Sequence, residues 1–546
     1  MRRIDQRAGL LFAAFLALLA IALVRSVWLQ AVRGGELSAE ARSQQVADVV
    51  VPGTRGRILD RNGSELAISE DAATIIATPY QVKEPAVAAA KLASILDVPE
   101  KGLLETLSER DSGFAYLARK VDLPSAEAVR KLKLEGIDIL PDSRRIYPEG
   151  ELASQLIGSV GIENEGLTGL EASHEELLHG ADGERLLTRD ALGEEISRET
   201  LAAATTGEDL QLTIDAALQA HTEEVLAGIG TTYTPKGATA IVMDPNTSEV
   251  LALANWPAAD PTEIGGASER EILNRATGFT YEPGSTFKAF TVAGALEDDL
   301  VNPDTPFTLG PTIQVADRVI EESHEGGGGT LTVSDILAQS SNVGAVTIGL
   351  ELGAERYDGW IRRFGFGEPT GVAIPGEERG IILDVDDYSG STMGNLPLGQ
   401  GLSVTPMQMM AAYAAIANGG ILRPPRILAS EGEAPEGERV ISQRTSAQVR
   451  KMLEGVLAPG GTASEVSVEG YELAGKTGTA EKAVDGGYSE TDFVASFVGF
   501  APGDDPELLV AVVVDEPRGS YYGGDVAAPA FGEIARFALP YLEIAP

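Results

Sequence analysis

The chain has 546 residues, with 42 lysines and arginines against 82 aspartates and glutamates, for a formal net charge of −40. That excess argues against nucleic acid or an anionic membrane surface as the main partner, since both would be repelled. No cysteine is present, which excludes disulfides, thiolate catalysis and thiolate metal sites, and the length exceeds what one hydrophobic core serves.

Arg2, Arg3 and Arg7 precede an uncharged run over residues 8–24, which Arg25 and Trp28 follow. The run reads as a membrane span, with Arg25 able to snorkel and Trp28 suited to the interface. The preceding arginines place the N-terminus in the cytoplasm and the remainder outside. No small-x-small site follows, so the segment reads as an uncleaved anchor and not a removed signal peptide.

Residues 31–205 are mixed. A strand is expected over 45–51, and Arg55-Gly56-Arg57-Ile58-Leu59-Asp60-Arg61-Asn62-Gly63 ends in Asn-Gly, which favours a type I′ hairpin. Helices are expected over 86–96 and 125–134. His174 and His179 lie five apart, off a common helix face, so the segment reads as an amphipathic helix and not a metal site. This region carries no catalytic constellation and reads as a spacer or docking domain.

The character changes near residue 205. A helix over 216–229 leads to a hairpin of strands over 237–243 and 249–254. Further helices are expected over 331–340, 406–418 and 530–539, the last stopped by Pro540. Strand-like runs fall at 471–480, 493–500 and 508–514. Five strands with helices before, within and after them predict an antiparallel sheet covered on both faces. The glycines at 326–329 read as a loop and not a phosphate cradle.

The helix entry at Tyr281-Glu282-Pro283-Gly284-Ser285-Thr286-Phe287-Lys288 organises this region. Residues three apart share a helix face, so Lys288 is expected within hydrogen-bond reach of the Ser285 hydroxyl. A serine hydroxyl is a weak nucleophile at neutral pH, and a lysine held as the free amine by burial can take its proton. Phe287, Phe290, Val292 and Leu296 make the helix apolar on most faces, and hence buried. Alone, Ser-x-x-Lys decides nothing, because a chain this long contains about one by chance.

Lys476-Thr477-Gly478-Thr479 lies in a strand-like run, where Thr477 and Thr479 share a face and Gly478 allows close backbone approach. It suits an extended peptide added to an edge strand, with the hydroxyls and Lys476 holding a carboxylate; it also suits a sheet edge guarded by lysine. Ser340 and Asn342 at a helix end read equally as caps. The conjunction of the three motifs, in this order and these settings, favours chemistry.

Together these residues resemble the penicillin-binding proteins: Ser285 to Lys288 matches S-x-x-K, Ser340 to Asn342 matches S-x-N, and Lys476 to Gly478 matches K-T-G. The middle residue of the second motif is Ser341, where aspartate is found in other members. The segment from Arg55 to Gly63 resembles the motif opening the pedestal of class B members. Ala495-Ser496-Phe497-Val498-Gly499-Phe500 and Tyr522-Gly523-Gly524 look more like the division type than the elongation type.

The resemblance implies an α+β fold in three parts: a tail and transmembrane anchor over 1–30, a mixed pedestal over 31–205, and a transpeptidase domain over 206–546. It implies a D,D-transpeptidase that cross-links peptidoglycan stem peptides ending in D-Ala-D-Ala, is acylated by β-lactams, and needs no cofactor. Ser285 would be the nucleophile and Lys288 its base. Ser340, Asn342 and Lys476 would relay a proton and orient the amide. Thr477, Gly478 and Thr479 would bind substrate, and the N–H groups of Ser285 and Thr479 would form an oxyanion hole. Expected partners are a polytopic glycosyltransferase and divisome proteins. A D,D-carboxypeptidase and a divisome scaffold with little catalysis are the alternatives.

Overall fold

The computed structural model describes residues 2–31, 46–189, 195–322, 328–429, 436–484 and 487–546. Gln45, Gly326 and Gly327, which figured in the expected strand and loop, lie outside them. Contacts divide the chain into a smaller unit (1–55, 70–144 and 179–207) and a larger one (56–69, 145–178 and 208–546).

In the smaller unit the helix Arg2–Ala31 includes residues 9–30, the one stretch among the described residues long and apolar enough to cross a membrane. Residues 72–77 pair antiparallel with the strand Ala115–Asp122. The helices Pro85–Leu96, Glu100–Ser108 and Leu123–Lys131 share a core with them through Leu92, Leu103, Leu107, Val129 and Ile75. The Glu100–Ser108 helix was not expected, because only Leu103 and Leu107 on it are buried and so few apolar residues leave little periodicity. The strands Val46–Val51, Gly183–Arg189 and Glu195–Ala202 form a separate antiparallel sheet.

The larger unit is built on five strands: β1 Gly237–Met243, β2 Val250–Trp256, β3 Ala474–Val484, β4 Gly487–Ala501 and β5 Leu508–Asp515. Their order is β2-β1-β5-β4-β3, antiparallel throughout, which places β3 at an edge. Alternate residues serve two cores. Ile241, Met243, Leu509 and Val513 face one, which the helices Lys288–Glu297 and Pro406–Ala417 share; Ala240, Val242, Val510 and Val512 face the other, with Ala216–Tyr233 and Gly523–Tyr541. Burial of both faces explains why residues 508–514 read as an unbroken apolar run and not an alternating one.

Three local expectations change. Only Gly63 of the Asn62-Gly63 pair has positive φ, 88°, so the turn is not type I′. Asp60 shapes it instead, its Oδ1 accepting from the N–H groups of Asn62 at 2.8 Å and Ser64 at 2.7 Å. Leu331 belongs to the strand Gly329–Thr332, and the helix runs Val333–Ala338, started by a Thr332–Asp335 capping box. The C-terminal helix begins at Gly523 and passes through Pro529 and Pro540. Pro529 has no N–H for the Asp525 carbonyl one turn back, and the Tyr233 hydroxyl donates to that carbonyl at 3.2 Å. Past Pro540, Tyr541 donates its hydroxyl to Asp215, at 3.0 Å from Oδ1.

Candidate active site

Ser285 lies in a 3₁₀ turn, Gly284–Phe287, which leads into the Lys288–Glu297 helix. Gly284 opens the turn at φ 56°, and a Cβ there would sit 3.2 Å from Ala480 Cβ and 3.3 Å from the Thr479 carbonyl. A glycine therefore lets the serine turn close on β3. The turn is fixed from below, where Tyr413 donates its hydroxyl to the Thr286 carbonyl at 2.7 Å.

Lys288 is 1% exposed. Its Nζ donates to the Ser340 carbonyl at 2.6 Å, to Asn342 Oδ1 at 2.7 Å, and lies 3.3 Å from Ser340 Oγ. Burial brings its pKa down from the ordinary lysine range to about 7, while the charge of Glu322 pulls the other way. In the neutral amine the two shortest contacts take both N–H groups, because a carbonyl and an amide oxygen can only accept. That leaves one lone pair, in a fixed direction, to receive a proton. Among the described residues no hydrogen bond joins Lys288 to Ser285. The side chain is drawn instead to the second motif, so the structure unites Lys288 with Ser340 and Asn342 and leaves Ser285 beside them.

Ser340 is held at φ 63°, a left-handed conformation unusual for serine, which turns its carbonyl toward Lys288. The residue after it explains how the motif tolerates a serine at its centre. Ser341 caps the Asn342–Leu352 helix by accepting from the Gly344 N–H at 2.9 Å, and its hydroxyl donates to Glu322 Oε1. Glu322 Oε2 accepts from the Asn342 N–H at 2.8 Å, and Asn342 Nδ2 donates to the Glu321 carbonyl at 2.9 Å. A carboxylate is thereby seated at a helix N-terminus, where it is stabilised, and it orients Asn342. Glu322 is the site residue that sequence reasoning missed. It follows a short hairpin, Thr312–Val315 with Arg318–Glu321, and no motif marks it.

Lys476 is fully buried, and its Nζ lies 3.3 Å from the Thr477 carbonyl. Burial first, and repulsion from Lys288 second, hold it well below the ordinary lysine range. Thr479 Oγ1 accepts from the Gly523 N–H at 3.0 Å, so its own proton is free to donate elsewhere. Thr477 Oγ1 is 2.7 Å from Thr462 Oγ1. A Cβ on Gly478 would lie 2.3 Å from Ser496 Oγ and 3.0 Å from the Pro283 carbonyl, so only glycine allows β3 to pack against the serine turn. Ser285, Ser340, Asn342, Thr477 and Thr479 line one cleft of about 1010 Å³.

Known proteins share this arrangement. The sequence profile described as the penicillin-binding protein transpeptidase domain matches residues 238–536, and that of the penicillin-binding protein dimerisation domain matches 50–212. The chain belongs to the penicillin-binding proteins. It is a class B member whose relatives are of the division type. It is 35% identical to stage V sporulation protein D of Bacillus subtilis over 99% of this chain and 86% of that one. It is 33% identical to peptidoglycan D,D-transpeptidase FtsI of Escherichia coli over 100% and 93%. Among solved structures, penicillin-binding protein 3 of Mycobacterium tuberculosis, complexed with aztreonam, superposes with a TM-score of 0.71 at 29% identity, covering 91% of this chain and 98% of that one.

Proposed function

We propose that the chain is a membrane-anchored peptidoglycan D,D-transpeptidase of septal wall synthesis, with Ser285 as nucleophile and Lys288 as base. The observation that carries this reading is the buried Lys288 amine, with a pKa near 7 and its N–H groups committed to Ser340 and Asn342. Ser285 Oγ attacks the carbonyl of the penultimate D-alanine as Lys288 takes its proton, and a tetrahedral oxyanion forms. The N–H groups of Ser285 and Thr479 face that oxygen, and removing such a donor typically costs about 3 kcal/mol of transition-state stabilisation. The C–N bond then breaks. A proton relayed through Ser340, with Lys476 nearby, lets the terminal D-alanine leave as an amine.

The Thr477 and Thr479 hydroxyls hold the terminal carboxylate before it departs, beside Gly478. A neighbouring stem-peptide amine attacks the Ser285 ester, forms the cross-link and returns the proton to Ser285. β-Lactams acylate the same serine. We assign residues 1–30 to a cytoplasmic tail and anchor, 31–205 to a pedestal that meets a polytopic glycosyltransferase and divisome proteins, and 206–546 to the catalytic domain outside the membrane.

The experiment that tests the reaction is product analysis of a D-Ala-D-Ala donor with and without an amine acceptor. Peptide-linked dimers that displace free acid as the amine is raised support transfer. Hydrolysis alone at every amine concentration would make the chain a carboxypeptidase.

A further inference from the structure

The larger unit holds a separate pocket of about 430 Å³ that shares no lining residue with the catalytic cleft. Its walls come from residues within 155–169, 269–278 and 374–376. Two polar atoms of that lining are buried with no hydrogen-bond partner among the described residues: Asn274 Nδ2 and Thr277 Oγ1. Thr277 is fully buried and Asn274 is 9% exposed. The Asn274 amide cannot be turned the other way, because its Oδ1 accepts from the Ala276 N–H at 3.2 Å and from Asn255 Nδ2 at 3.3 Å. Asn255 is fixed in turn, its own Oδ1 accepting from the Arg275 N–H at 2.9 Å. Buried polar atoms are nearly always paired, so two on one pocket wall point to a polar group that the chain itself does not supply.

We propose that this pocket binds a neutral secondary amide carrying an aliphatic group, presented by an aliphatic residue of a partner protein's peptide segment with a basic residue beside it. Asn274 Nδ2 can only donate, so the occupant must bring an acceptor, and the Thr277 hydroxyl can take the amide N–H. Ile272, Leu273, Ile374 and Pro375 offer an apolar wall to the side chain. A carboxylate is a poor acceptor here, since no lysine or arginine lines the pocket and Glu269 does. Glu378 adds a second carboxylate close by, its N–H donating to the Thr277 carbonyl at 2.9 Å. Both glutamates are exposed, and among the described residues neither forms an ion pair, so their charge favours a lysine or arginine next to the aliphatic residue. An acetamido sugar offers the same amide but brings several hydroxyls to an apolar wall, where they would lose their water without gaining partners. Gln155, the other amide of the lining, already donates to the Pro257 and Glu271 carbonyls, at 2.9 and 2.8 Å.

The test uses the purified full chain and acetyl-leucyl-lysine amide with a photoreactive diazirine on the leucine side chain, and maps the crosslink by mass spectrometry. The proposal expects labelling within 269–278 or 374–376, displaced by the unmodified peptide, and about 5-fold weaker when glutamate replaces the lysine. Thr277→Val removes the unpaired hydroxyl and keeps its shape, so it should leave Tm unchanged or higher while cutting labelling about 5-fold. Absence of label at these segments overturns the proposal, the two atoms then being paired by water alone. Undiminished labelling of Thr277→Val overturns it too, and a lower Tm would mean that the hydroxyl is paired within the fold. Displacement by N-acetylglucosamine as effective as by the peptide would overturn the peptide assignment in favour of a glycan.

Discussion

The proposed reaction depends most on the protonation state of Lys288, and pH is the perturbation that reads it. With a pKa of about 7, the free-amine fraction is about 10% at pH 6, half at pH 7 and about 90% at pH 8. Acylation by a β-lactam should therefore rise about ninefold from pH 6 to pH 8 and then level off. Glu322 is the charge that holds the lysine up, so Glu322→Gln should move the midpoint below that of the unaltered protein. Stopped-flow acylation of the purified protein across pH 5.5 to 9.5 measures both curves. A rate that climbs about tenfold per pH unit through pH 9 would mean an ordinary lysine with a pKa of about 10.4. A flat profile would mean that Lys288 is not the base. Either result refutes the reasoning.

Other outcomes follow from the same geometry. Because Lys288 has a depressed folded pKa, the unfolded chain binds more protons above pH 7, so its contribution to stability grows from about pH 7 toward 10.5. Lys288→Met should remove that rise in pH-dependent denaturation curves while abolishing acylation. Lys476→Met exchanges a desolvated amine for an apolar side chain of similar length; it should raise Tm by a few degrees and still slow acylation at least 100-fold. Gly478→Ala displaces the Ser496 hydroxyl, pushes β3 from the serine turn by a few tenths of an ångström and should cost on the order of 10-fold in acylation. Asp60→Lys should lower the denaturation midpoint, by more than about 2 kcal/mol of stability, because its buried carboxylate serves three backbone N–H groups, of Asn62, Ser64 and Ala216. Arg57→Glu, at a half-exposed pair with Asp209, should leave that midpoint nearly unchanged.

The contrast between Asp60 and Arg57 shows what the sequence could carry. The motif from Arg55 to Gly63 was legible as a unit, within a region read as a spacer or docking domain. Asp60 instead closes the turn and reaches the N-terminus of the Ala216–Tyr233 helix, a contact across 156 residues that no local pattern encodes. The three motifs of the candidate site were legible because each joins a residue type to a local geometry: a turn into a helix, a helix end, an edge strand. The five strands were legible as apolar runs. Glu322 was not, since its role depends on a hairpin that brings it to the Asn342 helix from 20 residues away. Nor was the direction of Lys288, which follows from the left-handed turn at Ser340 and not from the i to i+3 spacing. The C-terminal helix begins before its expected start at 530 because a tertiary hydroxyl, that of Tyr233, satisfies the Asp525 carbonyl that Pro529 leaves free.

Covalent labelling reads out Ser285 itself. The purified protein is incubated with a fluorescent penicillin, side by side with its Ser285→Ala variant, and both are shown to be folded by circular dichroism. A stable labelled band with the unaltered protein and none with the variant is the predicted result. Equal labelling of both, or no band in either, would contradict Ser285 as the nucleophile.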